Sequence, residues 1–158
     1  MIADLKQFVP SKTCLSCDGC CRFQDEKSVW RPSAVGADAQ ILAGKIAADD
    51  RLQTTCTHGE HQCVFFNKKD NTCRIYSTRP FECRLYPFLI RKKDQDLVVS
   101  VHLSCPHIQE TDGSIELEAY IAYLRKIFAT KEIMDFLKNN PSLAGDYSTQ
   151  QKELRDLF

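Results

Sequence analysis

Nine cysteines in 158 residues, at 14, 17, 20, 21, 56, 63, 73, 83 and 105, are the groups in this chain whose type and spacing could do chemistry. The densest run is Cys14-x2-Cys17-x2-Cys20-Cys21. Two residues between thiols let a tight loop turn the sulfurs to one side at little loop-closure cost, and a metal ion or cluster needs that approach. Asp18-Gly19 supplies turn chemistry inside the run. Tetrahedral zinc takes four thiolates and an iron-sulfur cluster takes four as well, so residue types leave both open. Cys20 and Cys21 are neighbours, and in an extended segment their side chains point to opposite sides and could serve different metals. Eight thiolates would make two four-sulfur sites, or one cluster beside a structural set.

The residues around the cysteines suggest supporting roles. Arg74, Arg79, Arg84, Arg91, Lys92 and Lys93 stand against Glu82 alone over the same stretch, either as counter-charge to thiolates or as an ordinary solvated basic face. Arg79 and Arg84 are candidates to hydrogen-bond cluster sulfurs or backbone carbonyls and so orient the ligands. Cys56-Thr57-His58-Gly59-Glu60-His61-Gln62-Cys63 could form a Cys/His site, and Cys105-Pro106-His107 adds an imidazole. Against that reading, a cysteine is often a small buried hydrophobe, and histidines near loops usually end solvated or hydrogen-bonded. Tyr76, Tyr86, Phe65, Phe66 and Phe88 read as core more readily than as a substrate platform.

Elements must position these groups. The first 105 residues carry every cysteine and 15 basic against 12 acidic residues; the remaining 53 carry 6 against 9. A cysteine-rich body is therefore followed by a mildly acidic tail. In the tail, Leu117, Tyr120, Ile121, Leu124 and Phe128 recur at helical spacing after Ser114, predicting a helix over 115–128. Thr130 caps a second helix with Ile133, Phe136 and Leu137 on one face, stopped at Asn139-Asn140-Pro141. Ser148 with Gln151 is a capping-box pair opening a terminal helix. These helices read as packing for the body. In the body, a helix over 34–48 is weakened by Gly36 and Gly44. Val64-Phe65-Phe66 and Cys73 to Tyr76 suggest a hairpin about the turn 67–71, and Tyr86 to Ile90 with Leu97 to Leu103 suggest another about 92–96. Ser77 or Thr78 before Arg79-Pro80 starts a short helix carrying Cys83. The expected fold is α+β: one domain over 1–158, with a metal-binding body of short hairpins at 14–106 and a helical extension at 107–158.

Composition excludes several classes. Formal charge is zero at a pI of about 6.9, without the global positive field of a non-specific nucleic-acid or anionic-membrane binder. Six scattered glycines match neither GxGxxG nor GxxxxGK[ST], which rules out those nucleotide-binding loops. Met1 to Lys12 contains Asp4 and no apolar h-region, and no stretch reaches the length of a membrane span, so the expected compartment is the cytoplasm. Thiols there stay reduced, and an odd cysteine count fits metal better than a disulfide framework.

Two resemblances sharpen this reading. C-x2-C-x2-C at Cys14, Cys17 and Cys20 with a distant Cys105-Pro106 resembles the bacterial ferredoxin run. More specifically, Cys14 to Cys21, Cys63, the stretch from Cys73-Arg74-Ile75-Tyr76 through Arg79-Pro80-Phe81-Glu82-Cys83-Arg84-Leu85-Tyr86-Pro87-Phe88, and Cys105-Pro106 together resemble the CxxCxxCC cysteine-cluster family of zinc- or iron-chelating proteins. That resemblance implies Cys14, Cys17, Cys20, Cys21, Cys63, Cys73, Cys83 and Cys105 as ligands, and it leaves Cys56, which has no place in the pattern, outside the metal set. It also implies kinship with flagellin lysine N-methylases, from which this shorter chain inherits no recognisable catalytic segment. The expected function is a metal-binding module holding an iron-sulfur cluster, [4Fe-4S] favoured, or zinc. Its role would be structural, electron-transferring or metal-handling, with metal ions and a partner enzyme or redox protein as partners. The alternative is a small metalloenzyme with redox or methylase-like activity.

Overall fold

The computed structural model describes residues 5–17 and 19–158; Met1 to Asp4 and Asp18, half of the expected turn, lie outside them. The chain is α+β, and it divides into two compact units. One spans Val9–Arg84; the other joins Leu85–Phe158 to the described residues up to Phe8.

In the Val9–Arg84 unit, α1 (Ser11–Ser16) leads through a 3-10 turn (Gly19–Cys21) into β1 (Arg22–Phe23). Then come α2 (Ala37–Ile41), β2 (Thr54–Thr57), β3 (Glu60–Cys63), β4 (Phe66–Asn67), β5 (Thr72–Cys73), a 3-10 turn (Tyr76–Thr78) and α3 (Phe81–Leu85), whose last residue belongs to the other unit. The sheet order is β1-β3-β2, all antiparallel. β2 and β3 join through His58-Gly59, both at positive φ (53° and 80°), the mirror-image turn that matches strand twist. The sequence reading weighed this stretch for a Cys/His site, favoured ordinary side chains there, and missed the hairpin. The signal was the pair His58-Gly59, weaker than Asn-Gly because histidine visits the left-handed region less often.

Three other expectations are corrected here. The helix over 34–48 shrinks to α2, because Gly36 and Gly44, at φ 58° and 80°, bound it on either side. The hairpin around 67–71 is reduced to two residues per strand, Phe66↔Cys73 and Asn67↔Thr72, leaving Val64, Phe65 and Arg74 to Tyr76 outside the strands. α3 begins at Phe81 and not at Ser77 or Thr78, since Arg79 is extended before Pro80; the Phe81 N–H donates to Asp38 Oδ2 of α2 at 2.7 Å. The unit's core is Phe23, Ala34, Leu42, Leu52, Cys63 and Phe66, with Cys21, Cys83, Trp30 and Ile75 packed against it.

The Leu85–Phe158 unit is a three-stranded antiparallel sheet with helices. β6 (Phe88–Lys93) pairs with β7 (Asp96–His102) from Phe88↔Val101 to Lys93↔Asp96, so the second predicted hairpin is present with its turn narrowed from 92–96 to 94–95. Next come α4 (Pro106–Thr111), α5 (Ile115–Phe128) and α6 (Lys131–Asn139). The predicted caps hold: Ser114 accepts from Leu117 N at 3.1 Å and Thr130 from Ile133 N at 3.4 Å. Tyr120 of α5 meets Phe88 of β6 at 5.1 Å between ring centroids.

The terminal helix is replaced. Ser148–Glu153 is a 3-10 segment and the chain ends in β8 (Leu154–Asp156), paired with β7. Ser148 does not cap; its N–H donates to Asp146 Oδ1 at 3.0 Å, and the chain gains more by completing the sheet edge. Asp156 draws Lys93 Nζ and Ser100 Oγ to 2.8 Å each and Arg91 Nε to 3.0 Å. Among the described residues no helix is long and apolar enough to cross a membrane.

Candidate metal centre

All nine cysteines are free thiols, and seven of the eight expected ligands lie in the Val9–Arg84 unit. They arrive on five short elements. Cys14 sits on α1, whose backbone closes Cys14 N onto Pro10 O at 2.9 Å, and Cys17 caps that helix, donating to Cys14 O at 3.3 Å. Cys20 and Cys21 occupy the 3-10 turn, Cys63 ends β3, Cys73 ends β5, and Cys83 lies in α3. α1 packs against β5, which brings Cys14 and Cys73 into one neighbourhood.

Electrostatics identifies the hub. A thiolate at Cys20 raises the titration of Cys14, Cys21, Cys63, Cys73 and Cys83 alike. Burial pushes the Cys63 thiol up to about 11, with Cys73 and Cys20 adding like-charge repulsion. Burial likewise raises Cys83, Cys14 and Cys73. Cys21 is raised first by its hydrogen bond with Cys20 and then by burial. That bond corrects the expectation of opposed side chains, which assumed an extended backbone; a 3-10 turn puts successive side chains about a third of a revolution apart. Converging desolvated thiols favour the protonated form until a cation takes the place of the protons.

Arg79 supplies positive charge. It is 8% exposed, donates from Nη1 to Cys14 Sγ at 3.4 Å and from Nε to Tyr76 O at 2.9 Å, and its guanidinium lies 3.7 Å from the Tyr76 ring centre. Tyr76 also hydrogen-bonds Cys14. Arg84 lies in the last turn of α3, its N–H on Pro80 O at 3.1 Å. Glu82, which sequence reading counted only as a charge, is 5% exposed and accepts the Ser33 N–H. Burial raises its carboxyl, against the opposing pull of Arg51. Its signal was position: a carboxylate between Phe81 and Cys83 in a helix too short to have a solvent face.

The donor chemistry fits a thiophilic metal or cluster: several free thiols, a shared desolvated neighbourhood and a guanidinium on one sulfur. Among the described residues no three His, Cys, Asp or Glu side chains already stand as a ligand set, so loading requires the sulfurs to draw together. The other cysteines differ. Cys56 is exposed on β2, and Cys105 is buried in the Leu85–Phe158 unit as the N-cap of α4. In that unit His102 Nδ1 lies 2.9 Å from Tyr86 Oη and Nε2 lies 3.1 Å from Glu153. His107 packs on Phe8 at 5.1 Å between ring centroids.

A small α+β fold with thiols gathered from short elements about a doublet defines a metal-chelating module. The family model described as "CxxCxxCC: Putative zinc- or iron-chelating domain" matches residues 13–112, and the chain belongs to this family. An uncharacterized protein of Methanocaldococcus jannaschii is 27% identical over 123 residues, covering 68% of this chain and 63% of that protein. The chain thus spans under two thirds of that relative's length. No solved structure matches the chain.

Proposed function

We propose that this protein is an iron-sulfur module in which Cys14, Cys17, Cys20, Cys21, Cys63, Cys73, Cys83 and Cys105 supply the thiolates and Arg79 and Arg84 tune them. The observation that carries the reading is the convergence of five thiols on Cys20 beside a guanidinium bonded to Cys14 sulfur. When bound, a [4Fe-4S]-type cluster would supply one-electron chemistry, and its negative total is what hydrogen bonds and cations around the sulfurs offset, raising its potential. Closed four-thiolate sites are characteristically structural or electron-transferring, which favours a module serving a cytoplasmic partner enzyme over an enzyme in its own right.

The test is anaerobic purification with iron supplied. Brown protein containing sulfide, with a charge-transfer spectrum that bleaches on reduction, is expected. Colourless protein with stoichiometric zinc and no sulfide under those conditions rejects the cluster and leaves a zinc module.

A further inference from the structure

One soft-donor pair lies outside the family's cysteine pattern, on the β2–β3 hairpin. Cys56 of β2 stands directly opposite His61 of β3, and Thr54 opposite Cys63. Thr57↔Glu60 closes the two-residue turn as the hydrogen-bonded pair, so Cys56↔His61 is the adjoining non-hydrogen-bonded pair, whose α-carbons approach to about 4.5 Å with side chains on the same face. Side chains on β3 alternate, so His61 and Cys63 share that face, about 7 Å apart along the strand. Burial deepens along it: Cys56 is exposed, His61 half-buried and Cys63 buried among the clustered thiols. His61 Nδ1 is buried and makes no hydrogen bond among the described residues, an unsatisfied imidazole nitrogen on the residue directly across from the exposed thiol. The charged groups of the hairpin tip are occupied with one another: Glu60 takes Arg22 at 3.2 Å and Lys68 at 2.5 Å.

We propose that Cys56 and His61 form a metal-acquisition port: a two-donor site that accepts a divalent thiophilic ion, zinc or ferrous iron, from solvent or a carrier and passes it along the face of β3 to Cys63. The inference rests on the metal-binding reading above. Thiolate and imidazole are the soft and borderline donors such ions prefer, and two protein donors leave the remaining positions to water or to the donor molecule. A site of that kind captures an ion without retaining it. Handing the ion on exchanges weak oxygen ligands for the clustered thiolates, which drives transfer inward. The register explains why an exposed cysteine stands at this edge position: one residue earlier or later, its side chain would project from the other face of the sheet.

The experiment uses the full-length apoprotein under anaerobic conditions, loaded from zinc held by a chromophoric chelator, with cobalt(II) absorbance as a second readout. Cys56→Ser and His61→Gln should each load about tenfold more slowly, the scale set by loss of one metal-supporting contact, and reach the wild-type stoichiometry. An early thiolate-to-cobalt band seen in wild type at sub-stoichiometric metal should be missing from Cys56→Ser. Near-UV circular dichroism of the apo variants checks that the hairpin is intact, and Cys56, being exposed, is the safer of the two. Equal loading rates with the early band retained would overturn the port. So would reduced final stoichiometry in Cys56→Ser, which would make Cys56 a resident ligand. If wild type itself takes up no stoichiometric metal and Cys83→Ser behaves identically, the metal-binding reading beneath falls too.

Discussion

Arg79 does three things at once: it stacks on Tyr76, ties down the Tyr76 carbonyl and donates to Cys14 sulfur. A lysine in its place keeps the charge but loses the planar fork that makes those contacts together. Arg79→Lys is therefore expected to lower metal affinity by about tenfold and Arg79→Ala by more, within the range for residues that orient ligands. Competition against a chelator of known affinity measures it; equal affinity in all three proteins would mean that the cation is incidental to the thiols. Glu82 acts at the same scale but structurally. Buried and hydrogen-bonded to Ser33 N–H, it ties α3, and with it Cys83, to the 28–52 segment, and Asp38 does the same through Phe81 N–H. Glu82→Ala leaves a buried N–H unpaired, at a cost of about 1–3 kcal/mol.

Two segments of the Leu85–Phe158 unit depend on single residues. β8 is held to the sheet by Asp156. Partial burial pushes the Asp156 carboxyl up, but hydrogen bonds from Lys93, Arg91 and Ser100 outweigh it and hold the group well below the usual carboxylate range. A depressed folded-state pKa means stability that is present above the unfolded value near 4 and is lost as pH falls through the folded value. Asp156→Asn should cost about 1 kcal/mol at neutral pH, discounted because Asp156 is partly solvent-screened, and the gap to wild type should close below about pH 4. A pH-independent gap in urea melts would show that shape, not charge, matters there. The segment before β8 depends on Gly145, whose N–H bonds Ile90 O at 3.1 Å. A Cβ there would stand 2.4 Å from the ring of Tyr147, which is only 2% exposed and has no room to retreat. Gly145→Ala should destabilise by about 1–3 kcal/mol as overpacking does, read from thermal unfolding.

For the molecule as a whole, metal and fold are expected to be coupled unequally in the two units. In the Val9–Arg84 unit, strands are two to four residues long, Cys63 sits in the core and Cys21 and Cys83 pack against it, where bare thiols are poor substitutes for branched hydrocarbon. The Leu85–Phe158 unit has a six- and a seven-residue strand, a fourteen-residue helix, and Phe88, Val101, Leu117 and Leu124 with no more than trace exposure. Removing metal should accelerate amide exchange across β1–β5 and α1 while leaving α5 and β6–β7 protected. Hydrogen exchange by mass spectrometry on loaded and apo protein measures both at once; uniform loss of protection, or none, would contradict a metal-dependent core in the first unit.

Spacing alone sufficed for the two long helices and the β6–β7 hairpin. α5 and α6 have their own caps, an apolar stripe and a stop signal, and the apolar run Leu97 to Val101 follows a polar turn close in sequence to its partner strand. The family was legible too, because cysteine intervals and the flanking Arg-Pro and Tyr-Pro pairs are local text. What the tertiary structure decided is everything requiring a partner distant in sequence. Ser148 and Gln151 look like a helix start, but β7 offers an unpaired edge about fifty residues away, and pairing there outweighs a weak local preference. Cys20 became the hub, and Cys21 its hydrogen-bonded neighbour, only because a 3-10 turn, a strand end and a one-turn helix bring their sulfurs to one desolvated place. Cys56 and His61 face each other for the same kind of reason: their spacing of five means nothing until a two-residue turn sets the register, and register follows from pairing, which a linear sequence does not contain.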